Sequence, residues 1–195
     1  FGVPLGRVGN QELACVIDDQ SINWFTPVLS IFLHGSWGHL IGNSLYLWVF
    51  GNNVEDSMGR VRFFAFYLLT GITAAFAHLA VDPASPVPTV GASGAISGIM
   101  GAYLLLYPRV RVRTFIPPFF FVGLPAWLVL VFWFLSQVVA GLPELSPLRR
   151  EISGGVAVWA HVGGFVAGAL LVRWFARDEF VRRRRAVSDA RAVWH

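Results

Sequence analysis

The hydrophobic residues of this chain fall into long runs separated by short polar connections. Five runs stand out: Trp37–Phe50, Phe63–Val81, Gly91–Tyr107, Phe119–Leu142 and Val156–Phe175. A helix needs about 20 residues, within a range of about 17–25, to cross the hydrocarbon core of a bilayer. The last three runs meet that length and the second is adequate. The first is short and carries polar residues, so neighbouring helices are expected to shield it. Membrane-barrel strands alternate apolar and polar positions. Phe63–Val81 and Phe119–Leu142 show no such alternation. The pattern therefore predicts an all-α, polytopic membrane helix bundle with five spans in this chain.

Composition agrees with that pattern. The chain has 195 residues, 55% hydrophobic and 13% charged, with a mean hydropathy of +0.60. Soluble domains carry about 25% charged residues. The formal net charge of +4 comes from 15 arginines and no lysine. These arginines flank apolar runs, which points to orientation in a bilayer and not to nucleic acid. The single cysteine, Cys15, excludes an intrachain disulfide and a CxxC metal site.

Arginine placement sets a direction. Arg60, Arg62, Arg109, Arg111, Arg113, Arg173, Arg177, Arg182–Arg185 and Arg191 fall on one side of the bundle; Arg7, Arg149 and Arg150 fall on the other. The positive-inside rule puts the first group in the cytoplasm. Residues 1–36 then form an outer loop, 37–176 the membrane domain and 177–195 a basic cytoplasmic tail. Residues 1–23 hold no signal-peptide pattern. An outside N-terminus is expected to follow a further span, giving six in the intact protein. Arginine without lysine suggests a GC-rich bacterial genome, hence a bacterial inner membrane.

Four polar side chains converge on one depth. His39 and Asn43 are one helical turn apart at the outer start of the first span. Ser93 opens the third. His161 lies about five residues, or roughly 8 Å, into the fifth. Such residues are costly in lipid and mark functional sites by default. Ser93 could instead be a helix cap or a packing residue. His161, His39 and Asn43 could serve interhelical hydrogen bonding. The functional alternative makes Ser93 a nucleophile activated by His161. Gly94-x-x-x-Gly98 and Gly164-x-x-x-Gly168 are small-residue faces that would let the two helices approach. His39 and Asn43 would donate to an oxyanion. Asp82 and Glu151 are the outer-loop acids nearest the right chain positions, but a serine–histidine pair without an acid is the better fit. A metal held by His34, His39, His78 and His161 is a weaker option, because no HExxH and no adjacent carboxylate accompany them.

Taken in order, His34-Gly-Ser-Trp-Gly-His39-Leu-Ile-Gly-Asn43, Gly51-Asn-Asn-Val-Glu55-Asp56, Gly91-Ala-Ser93-Gly94-Ala-Ile-Ser-Gly98 and Trp159-Ala-His161-Val-Gly-Gly164-Phe-Val-Ala-Gly168 resemble the rhomboid family of intramembrane serine proteases. The resemblance runs from about Trp24 to Ala176. It implies that Ser93 is the nucleophile and His161 the general base, with no cofactor. It implies an oxyanion hole of His39, Asn43 and the Ser93 N–H. It also implies an outward-opening cavity, lateral access near span four, and a bracing position for Glu55. The implied partners are transmembrane protein substrates and the lipid bilayer. Ser97 stands where some members place an aromatic ring beneath the histidine, and residues 1–33 lack the Trp-Arg pair of some members. The alternative reading is a non-catalytic relative that binds transmembrane helices for quality control.

Overall fold

Ser36 begins the helical body of the chain. Its backbone is extended, and its Oγ accepts a hydrogen bond from the His39 N–H at 3.1 Å, so it caps the helix that follows. The computed structural model describes residues 5–8, 11–15, 26–81, 90–116, 120–145 and 157–192. In chain order these form strands β1 (Leu5–Val8) and β2 (Gln11–Cys15), which pair antiparallel, and helices α1 (Thr26–Ser30) and α2 (Trp37–Tyr46). A π-helical turn, Leu47–Gly51, leads into α3 (Asn52–Met58). Helices α4 (Arg60–Val81) and α5 (Ser93–Leu106) follow. Strands β3 (Arg111–Ile116) and β4 (Phe120–Pro125) form a hairpin. Helices α6 (Ala126–Gly141), α7 (Val158–Phe175) and α8 (Asp178–Ala192) complete the chain.

The all-α bundle is present, with two small hairpins attached. Three expectations need correction. The first span does not end at Phe50: Gly51 follows it but keeps right-handed helical backbone, with φ of −64°, so the helical path continues to Met58 and ends at Gly59, whose φ of 82° reverses the chain. Nor do neighbours shield α2 on all sides. Only Asn43 is buried, while Trp37, Ile41, Leu45 and Trp48 form an exposed apolar stripe. Its polar side faces inward and its apolar side outward, as suits a helix against lipid.

The fourth helix begins at Ala126, seven residues later than Phe119. Arg111, Arg113 and Phe115 are exposed in alternation with the half-buried Val112 and Thr114. That period of two, with β-branched residues between, suits a strand. Its pairing with Phe120–Pro125 removes those residues from the helix. Pro125, in extended conformation, then opens α6.

Helix α5 is the centre of the bundle, packed between α4 and α7. Ala95, Ile99 and Ala102 on it are fully buried. Among the described residues two helices, α4 and α7, are long and apolar enough to cross a membrane; α5 and α6 are shorter apolar helices. Phe132, Leu135, Val139, Trp48, Phe64 and Leu170 are exposed around the outside. An apolar surface of this kind is costly in water and at home in lipid.

The segment 177–192 is not simply a loose tail. The Arg177 N–H donates to Ser57 O at 2.9 Å, and Val181 is buried against the core. Arg184 Nε donates to Asn53 Oδ1 at 3.0 Å and lies 3.3 Å from Asp56 Oδ2. Helix α8 therefore docks on α3. Arg182 and Arg183 remain exposed.

Candidate active site

Ser93 is the first residue of α5, and Ala92 occupies the cap position. The first intrahelical bond is Ile96 N–H to Ala92 O at 2.9 Å. N–H groups ahead of such a bond have no partner within the helix. Gly91, with φ of 114°, turns the chain into the helix and donates its N–H to Ser30 O at 2.8 Å. The Ser93 hydroxyl does not cap the helix. Its Oγ lies 2.9 Å from His161 Nε2.

His161 sits in the first turn of α7. The two helices meet through backbone. A β-carbon on Gly164 would collide with the carbonyl of Gly94, and one on Gly168 with the carbonyl of Gly98. The other side of Gly94 and Gly98 faces α4: there an added β-carbon would lie 2.6 Å from Ala74 Cβ and 2.7 Å from Thr70 Cγ2 respectively. The four glycines thus let α5 be gripped from both sides, and that approach sets the distance between Ser93 and His161.

His39 and Asn43 approach from α2. Both press against the loop just before Ser93: an added β-carbon at Gly91 would lie 2.6 Å from His39 Cε1 and 3.5 Å from Asn43 Nδ2. Ser93, His161, His39 and Asn43 all line one cavity of about 630 Å³. Asn43 is 9% exposed, and its Nδ2 has no hydrogen-bond partner among the described residues. A buried amide donor left unpaired is costly, so it suits a ligand that supplies an acceptor. The His39 ring also meets His34 edge-on, with centroids 5.3 Å apart.

Two neighbours of His161 were not among the sequence candidates. Gln137 on α6 places Oε1 2.8 Å from His161 Nδ1. Trp133, one turn earlier, places its ring centroid 5.9 Å from that of His161. Ser136-Gln137 is a polar pair inside an otherwise apolar run, and that signal could have drawn attention to it. Ser97 donates its hydroxyl to Ser93 O at 2.7 Å, so it serves its own helix. Asp82 and Glu151 lie outside the described residues. Among the described residues, no three of His, Cys, Asp and Glu gather closely enough to hold a metal ion. Glu55 lies 3.6 Å from Arg60 across the α3–α4 turn.

The Rhomboid domain matches residues 20–178 of this chain. The chain belongs to the rhomboid family. It is 35% identical over 148 residues to the putative rhomboid protease YdcA of Bacillus subtilis, covering 76% of this chain and 65% of that protein. It is 29% identical over 154 residues to the chloroplastic rhomboid-like protein 11 of Arabidopsis thaliana, covering 76% of this chain and 51% of that protein. The rhomboid protease GluP of Bacillus subtilis is 43% identical over 90 residues, which are 46% of this chain and 17% of GluP. This chain spans about half the length of the Arabidopsis relative, just under two thirds of YdcA and a smaller share of GluP. Rhomboid family members are integral membrane proteins, and the apolar helices of this chain fit that setting.

Proposed function

We propose that this chain is an intramembrane serine endopeptidase that cuts transmembrane segments of other proteins near their outer boundary. The observation that carries the reading is the 2.9 Å contact between Ser93 Oγ and His161 Nε2, set in a cavity that Asn43 and His39 also line. A hydroxyl becomes a useful nucleophile when an adjacent base takes its proton. His161 Nε2 accepts the Ser93 proton as Oγ attacks the scissile carbonyl. The developing oxyanion receives hydrogen bonds from Asn43 Nδ2, His39 and the Ser93 N–H. The imidazolium then protonates the leaving amine, and the C–N bond breaks. A water molecule attacks the ester in turn, giving a proton to His161, and the imidazolium passes that proton to Ser93 Oγ as the ester C–O bond breaks.

The length of α5 supports a recessed site. Its 14 residues rise about 21 Å, against a hydrocarbon core of about 30 Å. A serine at its outer end therefore lies below the membrane surface. A substrate must offer a peptide bond there, and an intact helix keeps its backbone paired internally. The substrate reading is a single-span protein whose helix unwinds near its outer end, helped by glycine or proline. The arginine distribution supports a cytoplasmic C-terminus and an outward-facing cavity. A relative that only held helices would have no use for a serine–histidine contact.

Labelling tests the assignment. A serine-directed fluorophosphonate is expected to modify the wild-type protein at Ser93, and neither Ser93→Ala nor His161→Ala should react. Equal labelling of the His161→Ala variant would show that the histidine does not activate the hydroxyl.

A further inference from the structure

His161 is held at both ring nitrogens. Nε2 faces Ser93 Oγ at 2.9 Å, and Nδ1 faces Gln137 Oε1 at 2.8 Å. We propose that Gln137 on α6 is a positioning residue that fixes the tautomer and ring plane of His161, taking the place an acid holds in three-residue serine sites. This rests on the peptidase reading above and deepens it.

The chemistry of the ring sets the requirement. A neutral imidazole carries one N–H and one lone pair on its two nitrogens. A base for Ser93 must turn its lone pair to the hydroxyl, so the proton must sit on Nδ1. That N–H then needs an acceptor, because a donor left unpaired in a low-dielectric interior is costly. Gln137 Oε1 is such an acceptor. The rest of the amide is consistent with this orientation. Gln137 Nε2 points to Ser136 Oγ at 3.4 Å, and the Ser136 hydroxyl donates to Trp133 O at 2.6 Å. With the amide reversed, its NH2 would donate to Nδ1. The proton would move to Nε2, and the base would be lost.

An amide also suits the setting better than a carboxylate. A charged group within a membrane helix is costly unless it is paired. Glutamine supplies the acceptor oxygen without the charge. It cannot stabilise an imidazolium as an aspartate does, so its contribution is orientation. Trp133 lies one turn from Gln137 on the same helix face and flanks the His161 ring. The base is therefore set jointly by α7, which carries it, and α6, which orients it.

The test uses Gln137→Leu and Gln137→Glu in the full chain, with Ser93→Ala and His161→Ala as controls. Two measurements are made. One is kcat and KM on a cleaved single-span substrate. The other is nitrogen NMR of isotope-labelled histidine, with the His161 signals assigned by their loss in His161→Ala. The wild type is expected to carry its imidazole proton on Nδ1. Gln137→Leu should shift proton population to Nε2 and lower kcat by about 10–100-fold, the range seen when partners that orient metal-bound imidazoles are removed, with KM little changed. Gln137→Glu keeps an acceptor, so it should retain the Nδ1 proton and turn over faster than Gln137→Leu. A wild-type proton on Nε2, or a Gln137→Leu variant with full kcat and an unchanged nitrogen spectrum, would overturn the proposal. The spectrum does not depend on turnover, so the two readings fail separately. A wild type that cleaves nothing counts against the peptidase, and a misplaced proton counts against Gln137.

Discussion

Gly164 faces the main-chain carbonyl of Gly94, the residue after Ser93, so closely that no side chain fits between them. Gly168 stands in the same relation to Gly98 one turn further on. The distance between serine and histidine is thus a consequence of backbone contact that begins next to Ser93 and continues one turn further along both helices. Replacing Gly164 or Gly168 by valine should drive α7 from α5. Small displacements of reacting groups can cost about 10²-fold in rate, and overpacking typically costs about 1–3 kcal/mol of stability. Cleavage assays with thermal melts check both effects, and full activity in both variants would separate the helix contact from the chemistry.

Gly91→Ala should be as damaging for a different reason. The residue has φ of 114°, which an L side chain rarely adopts, and the new methyl would lie 2.6 Å from His39 Cε1. Turnover should fall by at least about 10-fold, since strain and clash both act on the loop that presents Ser93. Gly123→Ala on β4 is the control: its methyl would make ordinary contact with Arg111, at 3.6 Å from Cδ. Comparable losses in the two variants would show that the Gly91 geometry is not what matters.

Asn43→Ala and His39→Ala should slow turnover and leave KM nearly unchanged. Removal of one oxyanion donor commonly costs about 10²–10³ in rate. Asn43 Nδ2 has no partner among the described residues, so its loss leaves no protein acceptor unpaired there. Asn43→Ala should accordingly melt near the wild-type temperature. A large fall in stability with unchanged kcat would return Asn43 to a structural role.

Arg184→Ala should loosen the docked C-terminal helix. Arg184 bonds Asn53, and Asn53 Nδ2 in turn donates to the Tyr103 hydroxyl on α5 at 3.0 Å. Hydrogen bonds to a charged group contribute about 1.5–3 kcal/mol, less where solvent reaches them. The Arg184 side chain is 30% exposed, so the lower part of that range is expected, read as a reduced melting temperature. Arg183→Ala, with its partner Glu179 on the same exposed helix face, should change little.

Much of the bundle was legible because lipid simplifies the code. Long apolar runs marked where α2 and α4 to α7 lie, and polar residues within or beside them supplied the side chains that line one cavity. The remainder depended on relations that a single run does not carry. Gln137 reaches His161 only because α6 presents that face to α7, and rotation about a helix axis is weakly marked when nearly every position is apolar. The β3–β4 hairpin was hidden because Phe119–Pro125 is hydrophobic enough to count as membrane helix, while Gly123 and Pro125 and the alternation before them mark strand. Arg182–Arg185 reads as a basic tail, yet Arg184, unlike the exposed Arg182 and Arg183, faces Asn53 and Asp56 on α3, residues some 130 positions away in sequence. Glycine spacing on α5 and α7 did indicate close approach. That α4 grips the other side of Gly94 and Gly98 became visible only in three dimensions.

The most direct measurement is the position of the cut. Purified protein in liposomes would be incubated with a single-span substrate and the products mapped by mass spectrometry, with Ser93→Ala alongside. The account predicts one cut at or just inside the outer boundary of the substrate helix, release of its outer part, and no product from Ser93→Ala. Cleavage at the cytoplasmic end of the helix, or product from Ser93→Ala at the wild-type rate, would contradict it.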